Sequence, residues 1–188
     1  MLYLSRKCKP ILFANRLFNI PSIEEKPDLP KVVWHSDTDD AVQMIADRIE
    51  KEGTLGIDKA WTAGFLIPLL EKCPGIRPVL SSDCVDYCRA RKDEEERTLM
   101  REASRINDVV NRRARDYIKI GMTERQVADF IDNAYKEEGA EGPSFTTIVS
   151  FGANAADPHH EPDDTVLEAN QSALFDMGCK YKRYCSDM

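Results

Sequence analysis

Residues 175–188 read FDMGCKYKRYCSDM, with Asp176 and Asp187 eleven positions apart on either side of a short polar turn. Asp is a poor strand former and is seldom buried without a partner, so an acid inside an apolar, strand-like run points to a cation. A hairpin turning on Tyr181 and Lys182 would set the two carboxylates directly opposite, their Cβ atoms about 5 Å apart. Opposed like charges destabilise a sheet unless one carboxyl holds a proton or a divalent cation lies between them. Carboxylate oxygens are hard ligands of the kind that Mg, Mn, Zn or Co sites use. The other reading is of two solvated acids paired with Lys180, Lys182 or Arg183.

The preceding DPHHEP supplies a second group. His159 and His160 are two of the three histidines in the chain, in a loop rich in Gly, Ala, Asn and Asp, the kind of segment that carries binding groups. Such histidines act as metal ligands, as donors to a carbonyl or a developing oxyanion, or are simply solvated. His35, at a strand end before a helix cap, reads as structural. Cys84 and Cys88, one helical turn apart, make half a zinc site or two packing cysteines.

These groups need a scaffold. LYLS, PILFAN and KVVWHS read as three strands, and the Ser-Asp-Thr-Asp cluster after the third suits a helix cap. The helix in DDAVQMIADRIEKEG places Val42, Ile45, Ala46 and Ile49 on one face, with Gly53 as its stop. TLGID follows as a buried strand, and AWTAGFLIPLLEK as a helix ended by the Pro-Gly of CPGIRPVL. At residues 81–92 the pattern changes to long charged helices, which predicts a boundary. Leu99, Ala103, Ile106, Val110, Ala114 and Ile118 recur at helical steps up to Gly121. A second helix opens with Thr123 and Gln126 as a capping box, turns Val127, Phe130, Ile131 and Ala134 inward, and stops at Gly139. FTTIVSFG, SALFDMG and KYKRYCSD read as strands, the last two as a hairpin.

Composition narrows the function classes. With 188 residues, 42% hydrophobic and 31% charged, the chain has the profile of an ordinary globular protein of one large or two small domains. A net charge of −7 argues against nucleic acid as a partner. No run approaches the ~20 apolar residues of a membrane span, and the start MLYLSRKCKP lacks a signal-peptide pattern, so a cytoplasmic protein with no membrane partner is expected. Six cysteines without a Cys-x-x-Cys pair read as reduced thiols.

FGANAADPHHEP followed by ALFDMGCKYKRYCSDM resembles the proline-specific metallopeptidases of the pita-bread fold, the Xaa-Pro dipeptidases (prolidases) and Xaa-Pro aminopeptidases. The resemblance implies an α+β chain: a partial creatinase-like α/β amino-terminal domain over residues 1–85, then the first half of a pita-bread catalytic domain over residues 86–188. It assigns Asp176 and Asp187 as ligands of two divalent metal ions (Mn, Co or Zn), His159 as the catalytic histidine of substrate binding and proton handling, and His160 as a further substrate contact. The implied substrate is a proline-containing dipeptide or peptide, cleaved before proline by metal-assisted hydrolysis. The family completes its site with one histidine and two glutamates that come later than Met188, so the resemblance implies a fragment, truncated at both ends and inactive alone. A sheet cut in half would leave an edge and an apolar face open, so a homodimer or self-association is expected. The alternatives are a non-catalytic pita-bread homologue serving as a binding or dimerisation module, and metal-free creatinase-like chemistry, which two opposed carboxylates disfavour.

Overall fold

The structure, a computed structural model, describes residues 1–18 and 29–188. The chain divides into two compact units, Met1–Arg89 and Ala90–Met188. Each has its own hydrophobic core.

In the first unit, β1 (Leu2–Tyr3) runs antiparallel to β2 (Ile11–Asn15), which pairs in parallel with β3 (Lys31–His35). Asp40 caps α1 (Ala41–Ala46) by accepting the Gln43 amide at 2.9 Å. β4 (Glu52–Ile57) and β5 (Gly75–Leu80) are parallel and joined through α2 (Ala63–Lys72), and α3 (Ser82–Ala90) follows. Phe13, Val33, Ile45, Leu69, Cys73 and Ile76 form the core. Three expectations change. Helix α1 stops at Ala46 rather than at Gly53, because a turn tucks Ile49 into the core by donating its amide to the Ile45 carbonyl. Gly53 instead lies in β4 with φ of 99°. The Gly75 of the Pro-Gly read only as a helix stop opens strand β5, whose pairing with β4 buries Ile76; α3 fills most of residues 81–92, and the division between the units, at Arg89 and Ala90, falls within that segment.

The second unit is two helices laid on short strands. Helix α4 (Glu94–Tyr117) begins with a capping box, the Glu96 amide donating to Asp93 at 2.9 Å and the Asp93 amide to Glu96 at 2.7 Å. Its buried line is Ala103, Ile106, Asn107, Val110 and Ala114. Helix α5 (Glu124–Glu137) begins with the capping box of Thr123 and Gln126 and buries Val127, Ile131, Ala134 and Tyr135. Below them, β7 (Ile148–Phe151) pairs antiparallel with β8 (Ala173–Asp176), while β6 (Gly142–Pro143), β9 (Cys179–Tyr181) and β10 (Tyr184–Cys185) form a sheet in the order β10-β9-β6. Val149, Phe151, Met177 and Cys179 join the helices' apolar faces in one core. Strand alternation therefore turns Ile148, Ser150, Asp176 and Gly178 to the side away from that core. Among the described residues, no helix is long and apolar enough to cross a membrane.

A buried polar link ties helices to strands. The Tyr135 hydroxyl donates to Asn107 Oδ1 at 2.5 Å, and Asn107 Nδ2 donates to the Met177 carbonyl at 3.2 Å. Burial pushes the Tyr135 phenol up, so it stays a donor. The residue after Asp176 is thus fixed from both helices.

Candidate active site

The hairpin differs in register from the sequence expectation. Tyr181 pairs with Tyr184 and Lys180 with Cys185, so the turn centres on Lys182 and Arg183, with φ of 45° and 73°. That is the backbone of a two-residue hairpin turn of the primed type, whose twist matches the strands. The ladder continues through Met177 and Met188, which exchange both amide hydrogen bonds at 3.0 Å. Asp187 therefore stands across from Gly178, and Asp176 is its diagonal neighbour on the same face, a relation of about 7–8 Å between backbones. The expected directly opposed pair is corrected to a diagonal one.

Gly178 makes room at that point. A Cβ there would collide with the Ser186 carbonyl and with Ser144 Oγ, so the strands close up only over glycine, and the position facing Asp187 carries no side chain. Asp176 is half-buried and Asp187 exposed. Among the described residues, neither carboxylate has a hydrogen bond or ion pair, and Lys180, the basic residue nearest Asp176 in sequence, reaches Glu141 at 3.8 Å instead. The solvated reading through pairing with Lys180 thus loses its partner. On the same face, the Ser150 hydroxyl is the buried side-chain polar atom without a hydrogen-bond partner among the described residues. Two carboxylates on one face without a hydrogen bond or ion pair among the described residues are hard-oxygen donors of the kind that divalent cations take.

The histidines separate. His159 is exposed; its amide donates to Asp157 Oδ1 at 2.9 Å. His160 turns inward to Glu124, 2.7 Å from Nε2 to Oε2. Glu124 is fully buried and takes three more hydrogen bonds: from the Phe151 amide at 2.7 Å, from Asn154 Nδ2 at 3.0 Å and from the Asp163 amide at 3.2 Å. The hydrogen bond to Glu124, reinforced by the charges of Glu124, Asp163 and Asp157, raises the His160 pKa above the ordinary histidine value. Hydrogen bonds from the Thr165 hydroxyl and amide hold the Asp163 carboxyl below its usual range.

Sequence reasoning missed Glu124. It follows the Thr123 cap, where an acid normally faces water and complements the helix dipole. Its one signal is the turn it shares with the capping box. Among the described residues, Glu124, His160 and Asp163 are the three whose ligand atoms lie within 4.8 Å of one another, whereas Asp176, Asp187 and His159 make no such trio. Cys84 donates to the Ser81 carbonyl at 2.8 Å, and it and Cys88 join no such group among the described residues.

The model of metallopeptidase family M24 matches residues 98–188, which cover both helices, the histidine loop and the hairpin. Residues 98–188 belong to metallopeptidase family M24. An uncharacterised peptidase of Staphylococcus aureus is 29% identical over 194 residues, covering all of this chain and 52% of its own. Among solved structures, a dipeptidase from Mycobacterium ulcerans superposes with a TM-score of 0.86 at 30% identity, and a recombinant prolidase from Thermococcus sibiricus with 0.84 at 28%. Both matches cover 99% of this chain and 51% of the other. The chain thus spans about half the length of the relatives it matches. Its fold is the α+β architecture of the pita-bread peptidases, and by family the M24 segment is that of a hydrolase, of a metallopeptidase family that implies divalent metals.

Proposed function

We propose that this chain carries the first part of a proline-specific metallopeptidase, an Xaa-Pro dipeptidase, with residues 1–85 as a partial creatinase-like domain ahead of it. The observation that carries the reading is the pair of unengaged carboxylates, Asp176 and Asp187, on one open face of an M24 fold whose similar structures include a dipeptidase and a prolidase. Asp176 and Asp187 would hold the divalent cations. Those ions, when bound, would supply Lewis-acid activation of water and of the scissile carbonyl. His159, exposed beside the turn at Asp157, is the residue available to meet substrate and move a proton, while His160 is engaged by Glu124. Manganese, a cytoplasmic setting and a homodimer belong to the same proposal.

The competing metal reading is the trio Glu124, His160 and Asp163. Glu124 already accepts four hydrogen bonds there, so a cation would have to displace them. Manganese binding, read from the electron paramagnetic resonance of the free ion, separates the two. Asp176→Asn and Asp187→Asn are expected each to weaken binding about tenfold or more, with Glu124→Gln close to wild type. The reverse pattern would move the metal to the trio and overturn the proposal. Where turnover is observed with added manganese, Ala-Pro is expected to be cleaved in preference to Ala-Ala, and Asp176→Asn to abolish it.

A further inference from the structure

We propose that Glu124 is a positioning residue: its carboxylate fixes the loop that presents His159, with the His160 ring as its nearest side-chain partner in the latch. The proposal rests on the reading of His159 given above.

An ionised carboxylate removed from water costs several kcal/mol unless it is paired and hydrogen-bonded. Glu124 meets that demand from one source. Phe151, Asn154, His160 and Asp163 supply its four donors, all from residues 151–163, and none comes from its own helix. An acid serving only the helix end would sit in solvent, and the cap is already made by Thr123 and Gln126. The two oxygens divide the loop between them: Oε1 takes its start through Phe151 and Asn154, and Oε2 takes its end through His160 and Asp163.

The backbone extends this hold. The amides of Glu124 and Arg125 donate to the carbonyls of Thr165 and Asp163, each at 3.1 Å. Asn154 Nδ2 also reaches Thr165 Oγ1 at 3.1 Å, which closes the loop across its base. The same amide nitrogen lies 3.2 Å from His160 Nε2. Two donors cannot share that contact as a hydrogen bond, so Nε2 carries its proton toward Glu124 and Asn154 donates to Glu124 and Thr165. The groups facing His160 are then Glu124 on α5, and Asp163, Asp157 and Asn154 on the loop itself. His159 is one peptide bond from the ring so held. Locking His160 and the Asp157 turn on either side leaves the His159 side chain as the free element of an otherwise fixed segment.

The test uses the purified chain with Glu124→Gln, which keeps the shape and removes the charge, and His160→Gln, which leaves Glu124 and its three other contacts. Amide exchange of residues 152–165 is expected to rise about tenfold or more in Glu124→Gln, and less in His160→Gln, with helix α4 unchanged. The His160 ring in Glu124→Gln is expected to titrate at the ordinary histidine value. Manganese-induced broadening of the His159 ring signal, measured in each protein, is expected to weaken in both variants. Unchanged exchange in both would overturn the proposal. Faster exchange with unaltered His159 broadening would also overturn it, leaving Glu124 a structural residue only. His160→Gln decides the matter if Glu124→Gln does not fold. If manganese fails to broaden His159 in the wild type, the metal reading of Asp176 and Asp187 falls, while exchange and the His160 titration still judge Glu124.

Discussion

Asp176 and Asp187 share a face, and among the described residues neither carboxylate is held by an ion pair. Diagonal like charges in a sheet repel weakly, by a few tenths of a kcal/mol. Asp176→Asn is therefore expected to leave stability unchanged or raise it slightly in chelator, by about 0.5 kcal/mol at most. With manganese present it is expected to be the less stable protein, because the wild type gains binding free energy that the variant does not. Urea unfolding with and without metal measures both. His160 yields the second prediction at this scale. Its pKa is raised in the folded state, chiefly by the hydrogen bond to Glu124. The stabilisation is thus fully present below the unfolded value of about 6.5 and is lost as pH rises through the higher folded value. The difference in melting temperature between wild type and His160→Gln is expected to be greatest near pH 6 and to shrink on the alkaline side. A constant difference across that range would mean that the ion pair contributes nothing beyond packing.

Helix α5 was legible because its signals are local: a cap, a 3.6-residue apolar repeat and a glycine stop lie within one element. The same repeat announced α4, but that helix ends at Tyr117 with Ile118 already extended, short of the Gly121 expected to close it. The hairpin register was not legible. Lys182 and Arg183 hold the turn with positive φ at both positions, where Asn-Gly would have announced it. Each side chain there costs about 1 kcal/mol relative to glycine. Replacing the pair by Asn-Gly is expected to stabilise the second unit by about 1 kcal/mol, read as a higher urea midpoint with unchanged slope. Gly178→Ala is expected to act in the opposite sense. Its methyl group would meet the Ser186 carbonyl and Ser144 Oγ, and prying β9 from its neighbours costs about 1–3 kcal/mol. The same substitution should weaken manganese binding, since Asp187 is set by that contact. Strand β5 escaped notice because Pro and Gly mark turns more often than parallel strands. Glu124 escaped because its partners lie 27 to 39 positions away, and no pattern within a helix reports on them.

Two cores serve the two units, and each should answer to its own substitutions. Ile131→Ala in the second unit is expected to cost about 2–5 kcal/mol, with faster exchange in α4 and α5, and Leu69→Ala a similar amount, with faster exchange in α1 and α2. Sheet β7-β8 has two strands, and Leu174 on it is 41% exposed. An open strand edge beside an apolar side chain favours pairing with another copy. Sedimentation velocity is expected to show concentration-dependent association, reduced by Leu174→Lys. A monomer at all concentrations would remove the homodimer from the proposal.

The latch at Glu124 also bears on how this sequence can drift. Its carboxylate is sealed on a helix, yet every group that makes it tolerable comes from residues 151–163, the end of β7 and the segment after it. Neither segment is then free to change alone. A lineage that replaces His160 must bring another donor to Oε2 or lose the acid, and one that loses the acid strands the Phe151 and Asp163 amides. Positions 124 and 160 should therefore be inherited as a pair, and a swap that fails singly should be tolerated when both are exchanged together.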